Sequence, residues 1–448
     1  MITKDRQGNA VTGATLEAAE LYDDAVAAFQ IYSGDPVALA DAAIDKAPAF
    51  AMAHILKSWL FAVSTEPEAT AAASEIVMHA KSLGHDEREG FHIAALDNLL
   101  RGEWSRAAVT LDFLSMQYPR DILALQVGQL LDFFRGDARN LRNRIARALP
   151  HWTPDIPGYS LVLGMHSFGL EEAGDYLKAE ETGRRALAMN PRDCWAHHAV
   201  AHVMEMQGRP EDGIGWMATR EAYWSAEDNF FQVHNWWHKA LFHLDLDQSA
   251  EAIAIYDDHI VAGASTVAAD LVDAAAMLWR LKMTGVDVSD RCISIADRWS
   301  LHADGRLYGF NDWHAAMVYL GAGREKEVED LLSTCRQQSA CGSESAGWAA
   351  TIALPLIEGF QAWHRGDFSQ AVERLHPVRR FAHAFGGSHA QRDIIDWTLT
   401  DAAIRSGSRD VAEAFAAERL AIKSNGHINR TLMHRASQLR RSSLEAAA

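Results

Sequence analysis

The chain has 448 residues, of which 48% are hydrophobic and 23% charged, the composition of a folded protein in water. Its formal net charge of −18 argues against nucleic acid or an anionic membrane as a partner, because both attract basic surfaces. Four cysteines without a CxxC pair give no support to a disulfide framework or a thiolate zinc site. With no signal-peptide core at the start and no run of 18 apolar residues, we expect a cytoplasmic protein.

Glycines recur at a regular interval along the chain. Gly102 and Gly136 are 34 residues apart, as are Gly174 and Gly208, and a proline follows 17 residues after the first of each pair. Glycine accepts the positive φ that ends many helices, and proline cannot continue a helix. This length and punctuation are typical of the tetratricopeptide repeat, a hairpin of two helices.

Signals for β-strands are nearly absent, since no alternating β-branched run or hairpin dipeptide is convincing. The sequence therefore predicts an all-α fold, a right-handed and strongly curved solenoid of tetratricopeptide-like hairpins. A closed α/α toroid around a central cavity is the alternative architecture. We expect one continuous domain over 1–448, with N-terminal helices in 1–50, repeats in 50–160, groove-lining repeats in 160–330 and C-terminal repeats in 331–448.

Histidine and tryptophan concentrate between Asn190 and Asp247. Six of the 21 histidines lie between 197 and 243, and five of the 14 tryptophans between 195 and 237. His198, His202 and Glu205 are spaced four and three apart, so they form one stripe on a helix. Neither a solvated helix nor an apolar core is expected to collect such a stripe, which predicts the floor of a binding groove.

A histidine beside a carboxylate titrates near neutrality and can pass a proton in either direction. His202 with Glu205, or with Glu171 from the neighbouring helix, can serve in this way, and His238 is the candidate for the opposite role. These predicted catalytic residues are His202, Glu205 and His238. Further residues are predicted to bind a ligand, either because the resemblance to the repeat places them on concave helices or because they lie in other polar motifs. They are Glu171, His198, His234, Trp237, Asp312, His314 and Arg392.

Each candidate also has a structural interpretation. A single histidine such as His202 is often a core residue whose ring nitrogens are hydrogen-bonded to carbonyls. Trp237 can simply pack between helices, and Asp312 can cap a helix. Arg392 is the best-placed cation for a carboxylate or phosphate, or else half of a surface ion pair. A metal at His198, His202 and Glu205 is a further option, although HxxxHxxE is not a recognised zinc motif, and we predict no cofactor.

Four strings in this chain, WAHHAVAHVMEMQGR, NFFQVHNWWHKALFHL, NDWHAAM and GGSHAQRD, resemble the tetratricopeptide repeat protein 38 family. The resemblance spans roughly residues 160 to 400 and implies a tetratricopeptide-like fold, but no activity or catalytic residue. Two functions follow as alternatives. The first is a groove that binds a small polar or anionic molecule, with or without acid–base catalysis. The second is a non-enzymatic scaffold that binds a peptide of a partner protein.

Overall fold

Helices account for the regular structure of residues 3–440, the range described in a computed structural model of the chain. Within that range no β-strand forms, and the extended pairing is limited to two isolated bridges, Lys4 with Ala10 and Ser33 with Asn229. The predicted all-α class is confirmed. The first two and last eight residues of the domain predicted over 1–448 lie outside the described range.

The helices group into two compact units. Unit 1 consists of residues 3–203 with 220–232 and 343–345, and unit 2 of residues 204–219, 233–342 and 346–440. Each unit is described separately, and the single continuous domain stays a prediction.

Unit 1 begins with successive helices joined by short turns. Its elements are α1 (Leu16–Ile31), α2 (Pro36–Lys46), α3 (Ala51–Ala62), α4 (Pro67–Ser82), α5 (Glu87–Leu100), α6 (Trp104–Gln117), α7 (Ile122–Phe134), α8 (Ala138–Ala148) with a 3-10 turn (Leu149–His151), α9 (Tyr159–Glu172), α10 (Tyr176–Met189), and parts of α11 (Cys194–Met206) and α12 (Pro210–Trp224). Within it α1 packs on α2, α3 on α4, α5 on α6 and α9 on α10, each pair a helical hairpin.

Unit 2 contains the last residues of α11 and the first part of α12, within 204–219, and then the remaining helices. These are α13 (Gln232–Asp245), α14 (Ser249–Ile255) with a π turn (Tyr256–Ile260), α15 (Ala268–Met283), α16 (Ser289–Trp299), α17 (Gly309–Gly321), α18 (Glu325–Gln338), α19 (Glu344–Trp348) with a π turn (Ala349–Ala353), α20 (Leu354–Arg365), α21 (Phe368–Val378), a 3-10 turn (Ala382–Phe385), α22 (His389–Arg405), α23 (Arg409–Ile422) and α24 (His427–Ser437).

The glycine punctuation marks real helix ends. Gly174 follows α9 with φ of 82°, a left-handed conformation that a side chain would strain. After α13 the equivalent turn has Asp247 in place of glycine, and it adopts φ of 61°. Aspartate is among the few residues other than glycine that tolerate this region, because its short side chain can hydrogen-bond locally. The turn therefore forms without the glycine.

Helix α15 lies at the centre of unit 2 and determines where its polar groups can be. It contacts α16, α17 and α22, and its residues are buried on nearly every side. Such a helix belongs to a core rather than to a surface. Asp273 and Arg280, seven residues apart and therefore on one face, are charged residues in this apolar helix. No helix of residues 3–440 has the length and apolar composition needed to cross a membrane.

Candidate functional site

A continuous chain of hydrogen bonds in unit 2 joins four ionisable side chains from α11, α13 and α15. His238 Nδ1 lies 3.1 Å from Glu205 Oε2, and His234 Nδ1 lies 2.8 Å from Asp273 Oδ2. The two Nε2 atoms of His238 and His234 are 3.2 Å apart. His238 is fully buried, and Glu205 and Asp273 are 9% and 2% exposed. We call these four residues the histidine relay.

The relay has a defined requirement for protons. A carboxylate can only accept a hydrogen bond, so each Nδ1 facing one carries a proton and donates it. If both rings were neutral, the two Nε2 lone pairs would then point at each other across 3.2 Å. One further proton between His238 and His234 turns this repulsion into a hydrogen bond. The geometry can therefore hold one proton between two imidazoles that are each anchored by a carboxylate.

Aromatic and cationic groups cover the relay. The indole of Trp237 stacks on His234, with ring centroids 5.3 Å apart and planes within 15°. The guanidinium carbon of Arg280 lies 5.2 Å from the centre of the same indole. Arg280 is 2% exposed and donates hydrogen bonds to the backbone carbonyls of Ala276 and Ala390, at 3.1 and 2.7 Å. Burial lowers the pKa of this guanidinium, while the charges of Asp393 and Glu205 oppose the shift.

His314 on α17 lies within electrostatic range of Arg280. Its burial, reinforced by the charge of Arg280, lowers the pKa of the imidazole to about 3, despite the hydrogen bond between Nδ1 and the carbonyl of Phe310. The ring is therefore neutral near pH 7, with its proton on Nδ1. Its Nε2 is an acceptor that has no hydrogen-bond partner in residues 3–440. The Nε1–H donor of Trp237 also has no partner there.

Asp312, also predicted to bind ligand, makes a different kind of contact. Its Oδ1 accepts a 2.8 Å hydrogen bond from the backbone N–H of Gly305, in the loop before α17. Burial, together with the nearby charge of Asp304, raises the pKa of Asp312 well above its ordinary value. The carboxyl ties this loop to the helix, and no contact with the relay is found in the described residues.

Arg392 lines a cavity of about 140 Å³ at the start of α22, together with His389, Asp393 and Met206. Its guanidinium donates to the carbonyl of Gly387. Met206 follows Glu205 of the relay directly in the chain, so the cavity wall and the relay share the end of α11. The predicted anion-binding arginine therefore belongs to a concave surface of unit 2.

The remaining predicted residues lie in unit 1. His202 Nδ1 is 3.4 Å from Glu171 Oε2, and both side chains are fully buried. His198 stacks on Phe168, with ring centroids 5.2 Å apart. Glu171, Glu172 and His202 offer ligand atoms within 4.8 Å of one another, so this group can hold a metal ion. The metal considered at His198, His202 and Glu205 stays a prediction.

Glu205, His234, Trp237 and His238 were predicted from the sequence, but two functional candidates of the same cluster, Asp273 and Arg280 of α15, were not. A detectable signal was present, since an aspartate and an arginine seven residues apart lie on one face of a helix that is buried along most of its length. No family model of known proteins matches the chain.

Proposed function

We propose that the protein binds a small polar or anionic molecule in unit 2 and exchanges a proton with it through the histidine relay. The single observation that carries this proposal is the unbroken chain of hydrogen bonds from Glu205 through His238 and His234 to Asp273. General acid–base catalysis needs a positioned group that both gives and takes a proton near neutral pH. A pair of imidazoles that shares one proton meets that need.

The carboxylates make the proton exchange reversible. When the proton leaves for a ligand, two neutral rings remain with their Nε2 atoms 3.2 Å apart and their lone pairs opposed. Because Glu205 and Asp273 hold each ring by its Nδ1–H, the rings cannot turn to relieve the repulsion. The deprotonated pair is thus a base, and the protonated pair is an acid, with His238 and His234 in the same positions.

Burial favours a small molecule over a peptide as the ligand. His238 and Trp237 are both completely buried, and Asp273 is nearly so. A scaffold that binds an extended peptide presents its side chains along an open groove. Groups covered by protein on most sides are instead typical of small-molecule sites, where most of the ligand surface is covered.

The fold that carries the site is also a proposal in its finer detail. We propose that the helix pairs of each unit are tetratricopeptide-like hairpins related to the tetratricopeptide repeat protein 38 family. The positive φ of Gly102, Gly136, Gly174 and Gly208, spaced in pairs 34 residues apart, supports this assignment. In such an arrangement the first helices of successive hairpins lie side by side. Their polar residues can then share one face, as the proposed site requires.

A thermal-shift screen of metabolites and peptides tests the binding proposal. A ligand that binds the native state raises its melting temperature by mass action. We expect metabolites that stabilise the wild type to stabilise His434→Gln equally, since His434 is an exposed histidine of unit 2, but not His238→Gln. Stabilisation by peptides alone, unchanged in a folded His238→Gln protein, would instead support the scaffold.

The shared proton is tested without any ligand by nitrogen NMR of histidine-labelled protein. We expect a scalar coupling between the Nε2 nuclei of His234 and His238, which reports a proton shared across their 3.2 Å contact. His238→Gln should remove this coupling and leave the signals of His434 unchanged. The absence of any coupling between the two Nε2 nuclei would contradict the relay.

A further inference from the structure

Arg280 differs from the other buried arginines of the described chain in having no counter-ion. Arg88 pairs with Asp121 at 2.6 Å, Arg144 with Asp132 at 2.8 Å and Arg419 with Asp393 at 2.8 Å. Within residues 3–440 no carboxylate oxygen approaches Arg280 to 4.0 Å, and its hydrogen bonds go to the neutral carbonyls of Ala276 and Ala390. A buried cation held only by neutral groups is unusual and needs an explanation.

Leaving a buried charge without a partner is strongly unfavourable, because desolvation is not repaid by a Coulomb attraction. A guanidinium stays charged under any ordinary condition, so Arg280 cannot escape the cost by losing its proton. The nearest acidic groups, Asp393, Glu205 and Asp273, act on it from a distance and not by contact. An anion that arrives with a ligand would supply the missing contact.

We propose that Arg280 binds the carboxylate of a small organic acid that carries an adjacent O–H or N–H donor. This inference rests on the proposed function and names the ligand class of the same site. The planar fork of a guanidinium matches a carboxylate with two parallel hydrogen bonds. The indole of Trp237 fixes the plane of Arg280, and the free Nε2 acceptor of His314 is the partner for the adjacent donor.

The surrounding charges favour a carboxylate over a phosphate. The charges that act on Arg280 within unit 2 are those of three carboxyl groups, Asp393, Glu205 and Asp273, and of one cation, Arg419, so their balance is negative. Their negative potential repels a ligand with two negative charges more strongly than a ligand with one. A singly charged carboxylate therefore fits this environment, and a doubly charged phosphate is disfavoured.

The cavity at the start of α22 provides an approach to this position. The carbonyl of Ala390, which accepts a hydrogen bond from Arg280 Nη2, lies in the first turn of α22. His389 on one side of it and Arg392 and Asp393 on the other line the cavity. The cavity thus lies beside the helix turn whose carbonyl holds Arg280, and the cationic Arg392 adds to the attraction for an anion.

The experiment measures thermal stabilisation of the full chain by a panel of 2-hydroxy and 2-amino carboxylic acids, each compared with its uncharged amide at the same pH. Inorganic phosphate is included as the competing anion. The variants are Arg280→Met, which keeps the volume and removes the charge, Arg280→Lys, which keeps the charge without the fork, and Arg374→Met, an exposed arginine of unit 2 that serves as control.

We expect acids in the panel to raise the melting temperature of the wild type and of Arg374→Met, and their amides and phosphate to have little effect. Arg280→Met should abolish the shift, and Arg280→Lys should weaken binding by roughly tenfold or more, the typical loss when a charged hydrogen bond is removed. Circular dichroism verifies that each variant is folded. Equal stabilisation by acids and amides, or an undiminished shift in Arg280→Met, would overturn the proposal, as would a panel with no stabilising acid.

His238→Gln separates this inference from the proposed function. If the acids stabilise His238→Gln but not Arg280→Met, the carboxylate site stands and His238 has no part in binding. If Arg280→Met responds to the acids like the wild type while the nitrogen–nitrogen coupling between His234 and His238 is observed, the relay stands and the carboxylate site is wrong.

Discussion

The Asp121 cluster of unit 1 and Arg280 of unit 2 bury charge in different ways. In unit 1, Asp121 accepts hydrogen bonds from Arg88 at 2.6 Å and from His92 at 3.1 Å, and its other oxygen accepts from the backbone of Ala124. Although burial raises the pKa of Asp121, the positive charges of His92 and Arg88 lower it well below its ordinary value. In unit 2, Arg280 contacts neutral carbonyls only.

This difference separates structural from functional polar groups. A buried ion pair whose charges compensate each other stabilises one arrangement of helices. Arg280 has no such counter-ion, and the Nε2 of His314 and the Nε1 of Trp237 have no hydrogen-bond partner in residues 3–440. Burial alone does not identify a site, since Arg144 and Arg280 are equally buried. What distinguishes them is the presence of a partner.

The largest expected effect on the free energy of unfolding comes from breaking a buried ion pair in unit 1. Arg144→Met removes the 2.8 Å partner of the buried Asp132 and leaves it the 3.2 Å contact with Arg135, so we expect a loss of about 3 kcal/mol in the free energy of unfolding. Urea unfolding measures the change. The double variant Arg144→Met with Asp132→Leu should recover much of it, and a loss under about 1 kcal/mol in the single variant would contradict the comparison.

Acid should weaken the site cluster through His314. Its pKa is about 3 in the folded protein, below its ordinary value of 6.5, so the unfolded chain binds the proton first as pH falls. The free energy of unfolding therefore has its full value above pH 6.5. It falls by up to about 1.4 kcal/mol per pH unit as the pH decreases from 6.5 to 3. His314→Gln should flatten the wild-type slope between pH 6.5 and pH 4 by this amount. Urea unfolding at a series of pH values measures it, and parallel slopes for the two proteins would contradict it.

Arg280→Met should have a small effect of the opposite sign to Arg144→Met. Since no ion pair is lost and an unpartnered charge is removed, we expect the free energy of unfolding to stay within about 1 kcal/mol of the wild type or to rise. The same urea experiment compares the two variants directly. Losses of equal size for Arg280→Met and Arg144→Met would remove the distinction between the units.

Glu205→Gln should change stability least. Its side-chain oxygen can still accept the hydrogen bond from His238 Nδ1, so we expect a loss of about 1 kcal/mol or less. Removing the negative charge should nevertheless weaken the hydrogen bond between the two Nε2 atoms, because the carboxylate stabilises the cationic pair. The nitrogen–nitrogen coupling between His234 and His238 measures that change. An unchanged coupling would show that Glu205 does not support the relay.

Much of the fold follows from local signals in the sequence. Helix formation depends on hydrogen bonds four residues apart, and helix ends depend on single residues such as Gly174 and Gly208. The all-α class and many turns could therefore be predicted without tertiary information. The stripe of His198, His202 and Glu205 was likewise visible, because helical periodicity alone places it on one face.

The partners of these residues were decided by tertiary packing. Glu205 was matched in sequence with His202, three residues away, but its hydrogen bond goes to His238, 33 residues along the chain. His234 reaches Asp273 across 39 residues, and Arg280 meets the carbonyl of Ala390 across 110. Local periodicity specifies which face of a helix a side chain occupies. Which charges meet, and which are left without a counter-ion, depends on how distant helices pack, since electrostatic interactions act through space and not along the chain.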